Sequence, residues 1–374
     1  MTTTPDPRPQ RTSTVRSAAS RRLPENTREI TTTPSPSKNK RQNRLGSPEL
    51  PRKITTKDPI ELGTIRITPL TSSRTLKKKA SVKMGLRQVD KAAVVISEID
   101  ESGSVPFLHA ENPTKHYMLF IEGDQLIGAK QNRVCNSTVL MQPNSTARLP
   151  VSCVEEGRWR HVSRHFGSSK FHASPALRRK ITKTKEATRR DTQGRQVHSA
   201  HQGQVWSHIV GFAEQAGVQS KTMAVQDVYE AREIEMQNQL LENPTDVGKS
   251  EKPQNACIEC PKGIHGWILE TPDGGVSIDL FGTPKLCRQA WKRIIGSAAI
   301  EAMIYQKHSH SKLQSRSNLK SRKAVKQLIN TIQKTPLERV EPVAAGIEQR
   351  FADTELSGAY LTLHNRVVHL GLTI

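Results

Sequence analysis

The chain has 374 residues, a net charge of +22 and 34% hydrophobic residues, a low share for a chain that folds throughout. The positive charge is concentrated in three segments: residues 1–80 hold 18 Lys and Arg against 6 acidic residues, residues 160–196 hold 11 against 2, and residues 307–334 hold 8 against none. The rest of the chain carries a net negative charge. This distribution excludes a uniformly basic protein and predicts a mildly acidic core with basic segments attached.

Cysteine content and the length of apolar runs bear on the cellular compartment. The five cysteines are an odd number in a long chain, which argues against a disulfide framework. No apolar run approaches the ~20 residues of a membrane-spanning helix, and the N-terminus has no apolar signal region. We therefore expect a cytoplasmic protein that has no membrane partner.

The basic segments predict a salt-sensitive, non-specific attraction to nucleic acid. Residues 1–80 and 307–334 contain no Phe, Tyr or Trp, so stacking of bases on aromatic side chains is not expected there. Nucleic acid is therefore a candidate partner of the basic segments, and the function of the acidic core remains a separate question.

Residues 1–83 are rich in Thr, Ser, Pro and Arg and show no sustained apolar period, which is typical of a disordered tail. From Met84 onward, short β-branched runs broken by Gly, Pro and Asn predict antiparallel strands in a sheet or a sandwich. Residues 163–200 are basic and lack a clear period, which predicts a mobile loop with at most one short helix.

Helical periodicity begins after this loop. Residues 204–217 predict one helix and residues 224–243 predict a second. A third, longer helix is predicted from the capping pair Thr283-Pro284 to about Gln306. The apolar face of the first helix consists of Val205, Ile209, Phe212, Ala213 and Ala216.

Turn chemistry predicts one hairpin over residues 264–281 and another over residues 358–372. The expected fold class is α+β, with antiparallel strands and about three packed helices, flanked by basic disordered segments. The expected organisation is a disordered basic tail over 1–83, an α+β domain over 84–306, a basic linker or insertion over 307–336 and a C-terminal hairpin over 337–374 that completes the domain.

A run of four polar residues, Lys130-Gln131-Asn132-Arg133, follows a strand-like segment. A Lys/Arg pair with two amides between the charges can hold an anion together with neighbouring hydroxyl or carbonyl groups. The alternative is a solvated hairpin turn whose charges only aid solubility. We interpret the run as a candidate phosphate or carboxylate site.

The segment Leu149–Arg160 contains the other candidate residues of this region. Cys153 is a candidate nucleophile, since nearby cations can activate a thiol; the alternative is a buried small hydrophobe. Glu155 and Glu156 point to opposite sides of a strand, so at most one of them could act as its base. Arg158 and Trp159 could bind a phosphate and stack on a ring, or else serve as a surface Arg and a structural Trp.

Further along the chain, Gln202 and Trp206 lie at the start of a predicted helix whose free N–H groups favour an anion; the alternative is ordinary helix initiation. Asp279 is a candidate site carboxylate near a strand end, or a turn residue. Cys257 and Cys260 have zinc-ligand spacing, but no second pair follows them. We therefore expect no metal site.

Five blocks of the chain together resemble one family, the ARG and Rhodanese-Phosphatase-superfamily-associated Protein domain, in which ARG stands for ADP-ribosylglycohydrolase. The blocks are E-G-D-Q-L-I-G-A-K-Q-N-R-V-C-N-S-T, L-P-V-S-C-V-E-E-G-R-W, H-Q-G-Q-V-W, G-G-V-S-I-D-L-F-G-T-P and R-V-V-H-L. The resemblance covers about residues 84–303 and 358–370. By association it implies a role in NAD or ADP-ribose metabolism. The matching positions are Glu122, Gly128, Lys130, Gln131, Asn132, Arg133, Asn136, Cys153, Glu156, Arg158, Trp159, Gln202, Trp206 and Asp279.

The leading hypothesis is a single polar pocket that binds ADP-ribose, an NAD-derived molecule or another nucleotide. In it Lys130 and Arg133 hold phosphates, and Glu122 or Glu156 is the general base if a reaction takes place. Asn132 and Gln202 orient hydroxyls, and Arg158 with Trp159 binds the far end of the ligand. The alternatives are a nucleic-acid-binding accessory protein and a non-catalytic adaptor for a neighbouring enzyme. The sequence identifies no cofactor.

Overall fold

The strands form one large antiparallel sheet and two smaller sheets, and the helices pack on their faces. The computed structural model describes residues 53–73, 76, 80–100, 106–187, 198–242, 259–308, 319, 321–351, 353 and 355–374. The strands are β1 Ile54–Thr56, β2 Ile60–Leu62, β3 Ile65–Ser72, β4 Val82–Met84, β5 Val95–Ser97, β6 Phe107–Asn112, β7 Tyr117–Phe120, β8 Asp124–Gly128, β9 Arg133–Cys135, β10 Val139–Met141, β11 Ser145–Cys153, β12 Phe166–His172, β13 Gly266–Glu270, β14 Val276–Phe281, β15 Leu337–Val340, β16 Ile347–Phe351, β17 Ser357–Leu363 and β18 Arg366–Thr373. The helices are α1 Gly85–Val89, α2 Pro175–Ala187, α3 Gln202–Ala216, α4 Val225–Glu242, α5 Pro284–His308 and α6 Arg322–Lys334.

The large sheet has the strand order β1-β3-β13-β14-β18-β17-β16-β15, with β2 paired to β3. A second sheet has the order β12-β8-β9-β11-β6-β5 and is also antiparallel. In the third sheet, β10-β7-β4, only the β4–β7 pair is parallel. The prediction of an α+β fold with antiparallel sheets is confirmed.

Each face of the large sheet has its own hydrophobic core, because successive strand residues point to opposite faces. Ile268, Leu280 and Leu370 face α6 and pack near its residues Ile329 and Ile332. Trp267, Phe281 and Leu361 face the opposite way, towards the core that contains residues of α2, α3 and α5. The large sheet is therefore covered by helices on both faces.

The described residues contain six helices, so the expected number of about three is too low. The three helices that were predicted are present, and all five predicted apolar residues of α3 are buried. Gly217 ends α3 in the left-handed conformation at φ 61°, where glycine avoids steric strain. The hairpins β13–β14 and β17–β18 are also present, with the predicted turns.

The expected start of the folded region at Met84 is wrong. Strands β1, β2 and β3 lie within residues 54–72, and β3 pairs with β13 inside the large sheet. Ile65 and Ile67 alternate with polar residues and are fully buried, which is the period of a strand with one buried face. The predicted disorder of residues 1–52 lies outside the described residues.

Two basic segments are built into the fold, one predicted as a loop with at most one short helix and the other as a linker or insertion that is partly helical from Lys323. Residues 163–200 contain β12 and the 13-residue helix α2, and residues 188–197 lie outside the described residues. The predicted linker 307–336 contains α6, whose residues Val325, Ile329 and Ile332 are buried. In both segments, apolar residues at helical spacing lie among many Lys and Arg residues, which make the helical period of the apolar residues hard to detect.

We expect a chain that begins at Met84 to lose cooperative folding. Without β3, one edge of β13 is unpaired and the buried side chains of Ile65, Ile67 and Leu70 leave the core. A chain that begins at Lys53 retains all of these contacts and serves as the matched control. Thermal unfolding followed by circular dichroism distinguishes the two; equal midpoints would contradict the role of β1–β3.

Candidate functional site

The predicted site residues do not converge in one pocket, because the β8–β9 hairpin presents them on opposite faces. Val134 and Cys135 are neighbours on β9 but belong to different hydrophobic cores. Arg133 lies on the same face as Cys135, whereas Asn136 follows on the face of Val134. The residues therefore separate into two groups, which we call the Trp159 cluster and the α2 network.

The Trp159 cluster consists of Glu98, Lys130, Gln131, Arg133, Cys153 and Trp159. Lys130 Nζ lies 5.5 Å and Arg133 Cζ 5.6 Å from the centre of the Trp159 ring, within the range of cation–π attraction. The Trp159 side chain is 47% exposed, while Arg133 is fully buried beneath it. The cluster thus combines an accessible aromatic ring with two cations.

Arg133 keeps hydrogen-bonding capacity that no described residue uses. Its NH1 donates to Gln131 Oε1 at 3.1 Å and contacts Cys153 Sγ. Its NH2 lies 3.7 Å from Glu98 Oε1, too far for a hydrogen bond. Within the described residues, Nε and NH2 of Arg133 and both carboxylate oxygens of Glu98 are buried without a hydrogen-bond partner. Burying such a group unpaired costs about 1–3 kcal/mol, so this concentration of unused donors and acceptors is unusual.

Arg158 supports the cluster from below instead of facing a ligand. It forms a two-pronged ion pair with Glu155, at 2.8 Å from Nε and 2.6 Å from NH2. Its NH1 also donates to the carbonyl oxygen of Ala129 at 2.7 Å, and its NH2 donates to Asn132 Oδ1 at 3.1 Å. Asn132 Oδ1 accepts in turn from the backbone N–H of Gly128 at 3.0 Å. Arg158 and Asn132 therefore hold the turn that carries Lys130 and present the adjacent Trp159.

Glu155, and not Glu156, is the partner that fixes Arg158. Burial on its own would raise the pKa of Glu155, but hydrogen bonds from Arg158, Asn132 N and Thr222 hold it below its usual value. Glu156 is exposed, and its backbone carbonyl oxygen accepts from Gln131 Nε2 at 3.2 Å. The two neighbouring glutamates thus point apart, as residues of opposite parity do along an extended chain.

Cys153 lacks the properties of a nucleophile. Burial raises the pKa of its thiol to about 11. Arg133 lowers this pKa and Glu98 raises it, and both effects are smaller than that of burial. The thiolate is the reactive form, so at neutral pH the thiol is almost entirely unreactive. The backbone of Cys153 is paired with Gln202, which accepts from its N–H and donates to its carbonyl oxygen, both at 2.8 Å. Gln202 therefore connects α3 to β11. Trp206 lies one turn further along α3, is half-buried and does not belong to the Trp159 cluster.

The α2 network consists of Glu122, Arg178, Lys185, Asp279 and His369, all buried. Glu122 accepts a hydrogen bond from Thr182 at 2.6 Å, forms an ion pair with Lys185, and lies 3.7 Å from Arg178 Nε. Arg178 NH1 donates to Asp279 Oδ2 at 2.8 Å, and the other oxygen of Asp279 lies 3.1 Å from His369 Nε2. The network connects α2, the turn before β8 and two strands of the large sheet.

The carboxylates of this network have lowered pKa values because they are paired with cations. Burial alone would raise the pKa of Glu122, but Lys185 and Arg178 reverse the effect and the pKa is lowered. The pKa of Asp279 is lowered in the same way by Arg178 and His369. Both carboxylates are thus ionised and paired at neutral pH, and neither is a free general base.

Glycine makes room for Arg178 on the large sheet. A Cβ at Gly371 would lie 2.4 Å from Arg178 NH2, closer than real contacts allow. Asn136 lies at the edge of the network, where its carbonyl oxygen accepts from Lys185 Nζ at 2.9 Å. Its side-chain amide is buried and makes no hydrogen bond with any described residue.

Sequence reasoning missed Arg178, Lys185, Glu98 and His369 as members of these groups. Arg178, Thr182 and Lys185 are spaced by four and three residues, the spacing that places side chains on one face of a helix, so the signal was present within the segment taken as a loop. Glu98 is distant from the cluster in the chain, and no local pattern marks it.

Among the described residues, no group of three His, Cys, Asp or Glu side chains is arranged to hold a metal ion. Cys257 lies outside them, while Cys260 Sγ lies 3.7 Å from the carbonyl oxygen of Pro261. None of the helices in the described part of the chain is long and apolar enough to cross a membrane.

The chain belongs to the family of the ARG and Rhodanese-Phosphatase-superfamily-associated Protein domain, whose family model matches residues 53–373. This confirms the resemblance and extends it over β1–β3 and α6, which the sequence blocks did not include. Comparison with curated proteins and with solved structures finds no significant match.

We expect Arg178→Met to lower the free energy of unfolding by about 3–5 kcal/mol, because it leaves Asp279 buried without its cation. The neighbouring Arg179 is the matched control: its pair with Asp273 is partly exposed, and Arg179→Met should cost about 1 kcal/mol or less. Urea unfolding measures both. Equal losses would show that the α2 network does not hold the helix on the sheet.

We expect iodoacetamide at pH 7.5 to modify Cys260 well before Cys153 in the native protein. Cys260 is partly exposed and its pKa is lowered through its hydrogen bond with Cys287, whereas the Cys153 thiol is buried with a pKa of about 11. Peptide mapping by mass spectrometry gives the order of modification. Rapid labelling of Cys153 would restore it as a candidate nucleophile.

Proposed function

We propose that this member of the family binds a small anionic ligand of the nucleotide type, ADP-ribose or another NAD-derived molecule, at the Trp159 cluster. The observation that carries the proposal is the fully buried Arg133, which has two donor groups without a partner in the described part of the chain. These groups lie directly beneath an exposed aromatic ring. A guanidinium group with free donors is suited to phosphate, which it can bind through two parallel hydrogen bonds.

Trp159 supplies the second half of the recognition. Trp159 is 47% exposed and its ring lies within cation–π range of Lys130 and Arg133, so the ring offers a stacking surface to a planar base. Lys130 lies beside the same ring and adds positive charge for a second phosphate group. A ligand that combines a base with phosphates matches this arrangement better than a simple inorganic anion.

Glu98 is the carboxylate that faces this ligand. Its two oxygens accept no hydrogen bond from any described residue and lie across from Arg133, where they can accept from ribose hydroxyls. If the bound molecule is also processed, Glu98 is better placed for proton transfer than Glu122, which is ion-paired on the other face, or Glu156, which is exposed. The family's description, which records an association with ARG proteins, agrees with a ligand of the ADP-ribose class.

Isothermal titration calorimetry of the full chain with ADP-ribose, NAD, ADP and phosphate tests the proposal. We expect Trp159→Ala to weaken nucleotide binding about 5- to 150-fold, which corresponds to the ~1–3 kcal/mol of one stacked base. Phosphate, which cannot stack, should bind weakly to both forms. We expect Lys130→Ala to weaken every phosphate-bearing ligand.

The matched control is Phe107→Ala, because Phe107 also carries an arginine over its ring, Arg148 at 4.8 Å, in a different part of the protein. It should leave nucleotide affinity unchanged. Absence of binding to the unaltered chain at millimolar nucleotide would overturn the proposal, as would equal losses in the Trp159 and Phe107 variants.

Nucleic-acid binding remains the alternative function, and the exposed basic residues Arg160, Arg164, Lys323 and Lys326 favour it. It requires an affinity that falls steeply with salt and that survives Trp159→Ala. Because α6 is part of the fold, reversing the charge of Lys323 and Lys326 is a cleaner test than deleting the segment. A non-catalytic adaptor would instead co-purify with a neighbouring enzyme and bind none of these ligands.

A further inference from the structure

A pocket of about 240 Å³ lies between α3, α5 and the turn that joins β13 to β14. None of its lining residues belongs to the Trp159 cluster or to the α2 network. Helix α3 contributes His208, Gly211 and Phe212, the turn contributes Asp273, and α5 contributes Glu301 and Tyr305.

Gly211 keeps this pocket open. It lies in the interior of α3, where glycine costs about 0.5–1 kcal/mol relative to alanine. A Cβ built at Gly211 would meet no atom within 4 Å, so packing within the described part of the protein does not require a glycine. Its φ is not in the left-handed region either. Because Gly211 has no side chain, the space beside it in the pocket wall stays open.

The ionisable groups of the pocket are neutral, half ionised or already paired at neutral pH. Burial raises the pKa of Glu301 to about 7, although Ser174, Arg179 and the N–H of Ala176 oppose the shift, so its carboxyl group is protonated in about half of the molecules. Burial, together with Lys180 and Arg179, lowers the pKa of His208 to about 4, so its ring is uncharged at neutral pH. Asp273 forms an ion pair with Arg179. The pocket therefore presents little net charge to a ligand.

The pocket wall nevertheless contains hydrogen-bonding groups and aromatic side chains. Both oxygens of Glu301 accept from the N–H of Ala176, at 3.0 and 3.2 Å, which fixes the carboxyl group in the pocket wall. His208 Nε2 is buried and has no hydrogen-bond partner among the described residues. The His208 ring stacks on Phe212 with centres 6.4 Å apart, and Tyr305 is 36% exposed on the other helix.

We propose that this pocket binds an uncharged planar ring that carries a carboxamide or an equivalent donor–acceptor edge. Its volume is below the ~300–1,000 Å³ of sites for drug-sized ligands, so it accommodates about one ring. A carboxyl group with a pKa near 7 can both donate and accept, which matches the two functions of an amide edge. Phe212, Tyr305 and the His208 ring line the space that the bound ring occupies.

Benzamide, benzoate and benzamidine test the proposal, because they share one ring and carry charges of 0, −1 and +1. Ligand-observed NMR with the full chain should show binding of benzamide, with an affinity at least tenfold above that of the two ions. Tighter binding of either ion, or binding of none of the three, would overturn the proposal.

A second test fills the pocket. Gly211→Leu places a side chain in the open space and should abolish benzamide binding while the circular dichroism spectrum is retained. Gly296→Leu is the matched control, since Gly296 is also inside a helix, α5, meets no atom within 4 Å of a built Cβ, and does not line the pocket. Unchanged benzamide binding in a folded Gly211→Leu variant, or equal loss in both variants, would place the ligand elsewhere.

Discussion

The ion pair between Arg178 and Asp279 determines how the helical layer sits on the large sheet. Two charges that are both buried are tolerated only when their geometry is close to ideal, so this contact allows α2 a single position over β14 and β18. Gly371 admits the guanidinium group, and Lys185 carries the connection on to Glu122 in the turn before β8. Helix α2 thereby joins the large sheet to the β8–β9 hairpin.

The same hairpin has the α2 network on one face and the Trp159 cluster on the other. On the face of Val134, the charges of the α2 network form ion pairs, although Nε and NH2 of Arg178 make no hydrogen bond with any described residue. On the face of Cys135, Arg133 and Glu98 lie 3.7 Å apart without a hydrogen bond, beneath an exposed ring. Buried charges and unused donors occur on both faces, and the second face differs in that they lie beneath an exposed aromatic ring.

The elements that could be predicted from the sequence are those marked by a local pattern of residues. Helix α3 and the β13–β14 hairpin follow from apolar period and turn chemistry, and both are present. Helix α2 was missed because Arg178 and Lys185 count as surface residues until their acidic partners are known. For the site, proximity along the chain placed Lys130 and Arg133 together with Trp159, but it assigned Arg158 and Gln202 to a ligand when each binds protein groups. Periodicity indicates which face a residue occupies, and only the tertiary structure shows what that face meets.

Whether a cation of this protein can attract an anionic partner depends on whether it is already paired within the fold. All three basic segments contribute to the fold: β3 pairs with β13 in the large sheet, α6 packs an apolar face on that sheet, and α2 directs Arg178 and Lys185 to buried carboxylates. Charges neutralised in this way attract no external phosphate, because their field is cancelled within a few ångströms. The net charge of +22 is a sum over the whole chain and is not a measure of the affinity of the folded part for nucleic acid. What remains for an anionic partner is local, and Arg133 beneath Trp159 is the described cation that combines burial, unused donors and an accessible neighbouring ring.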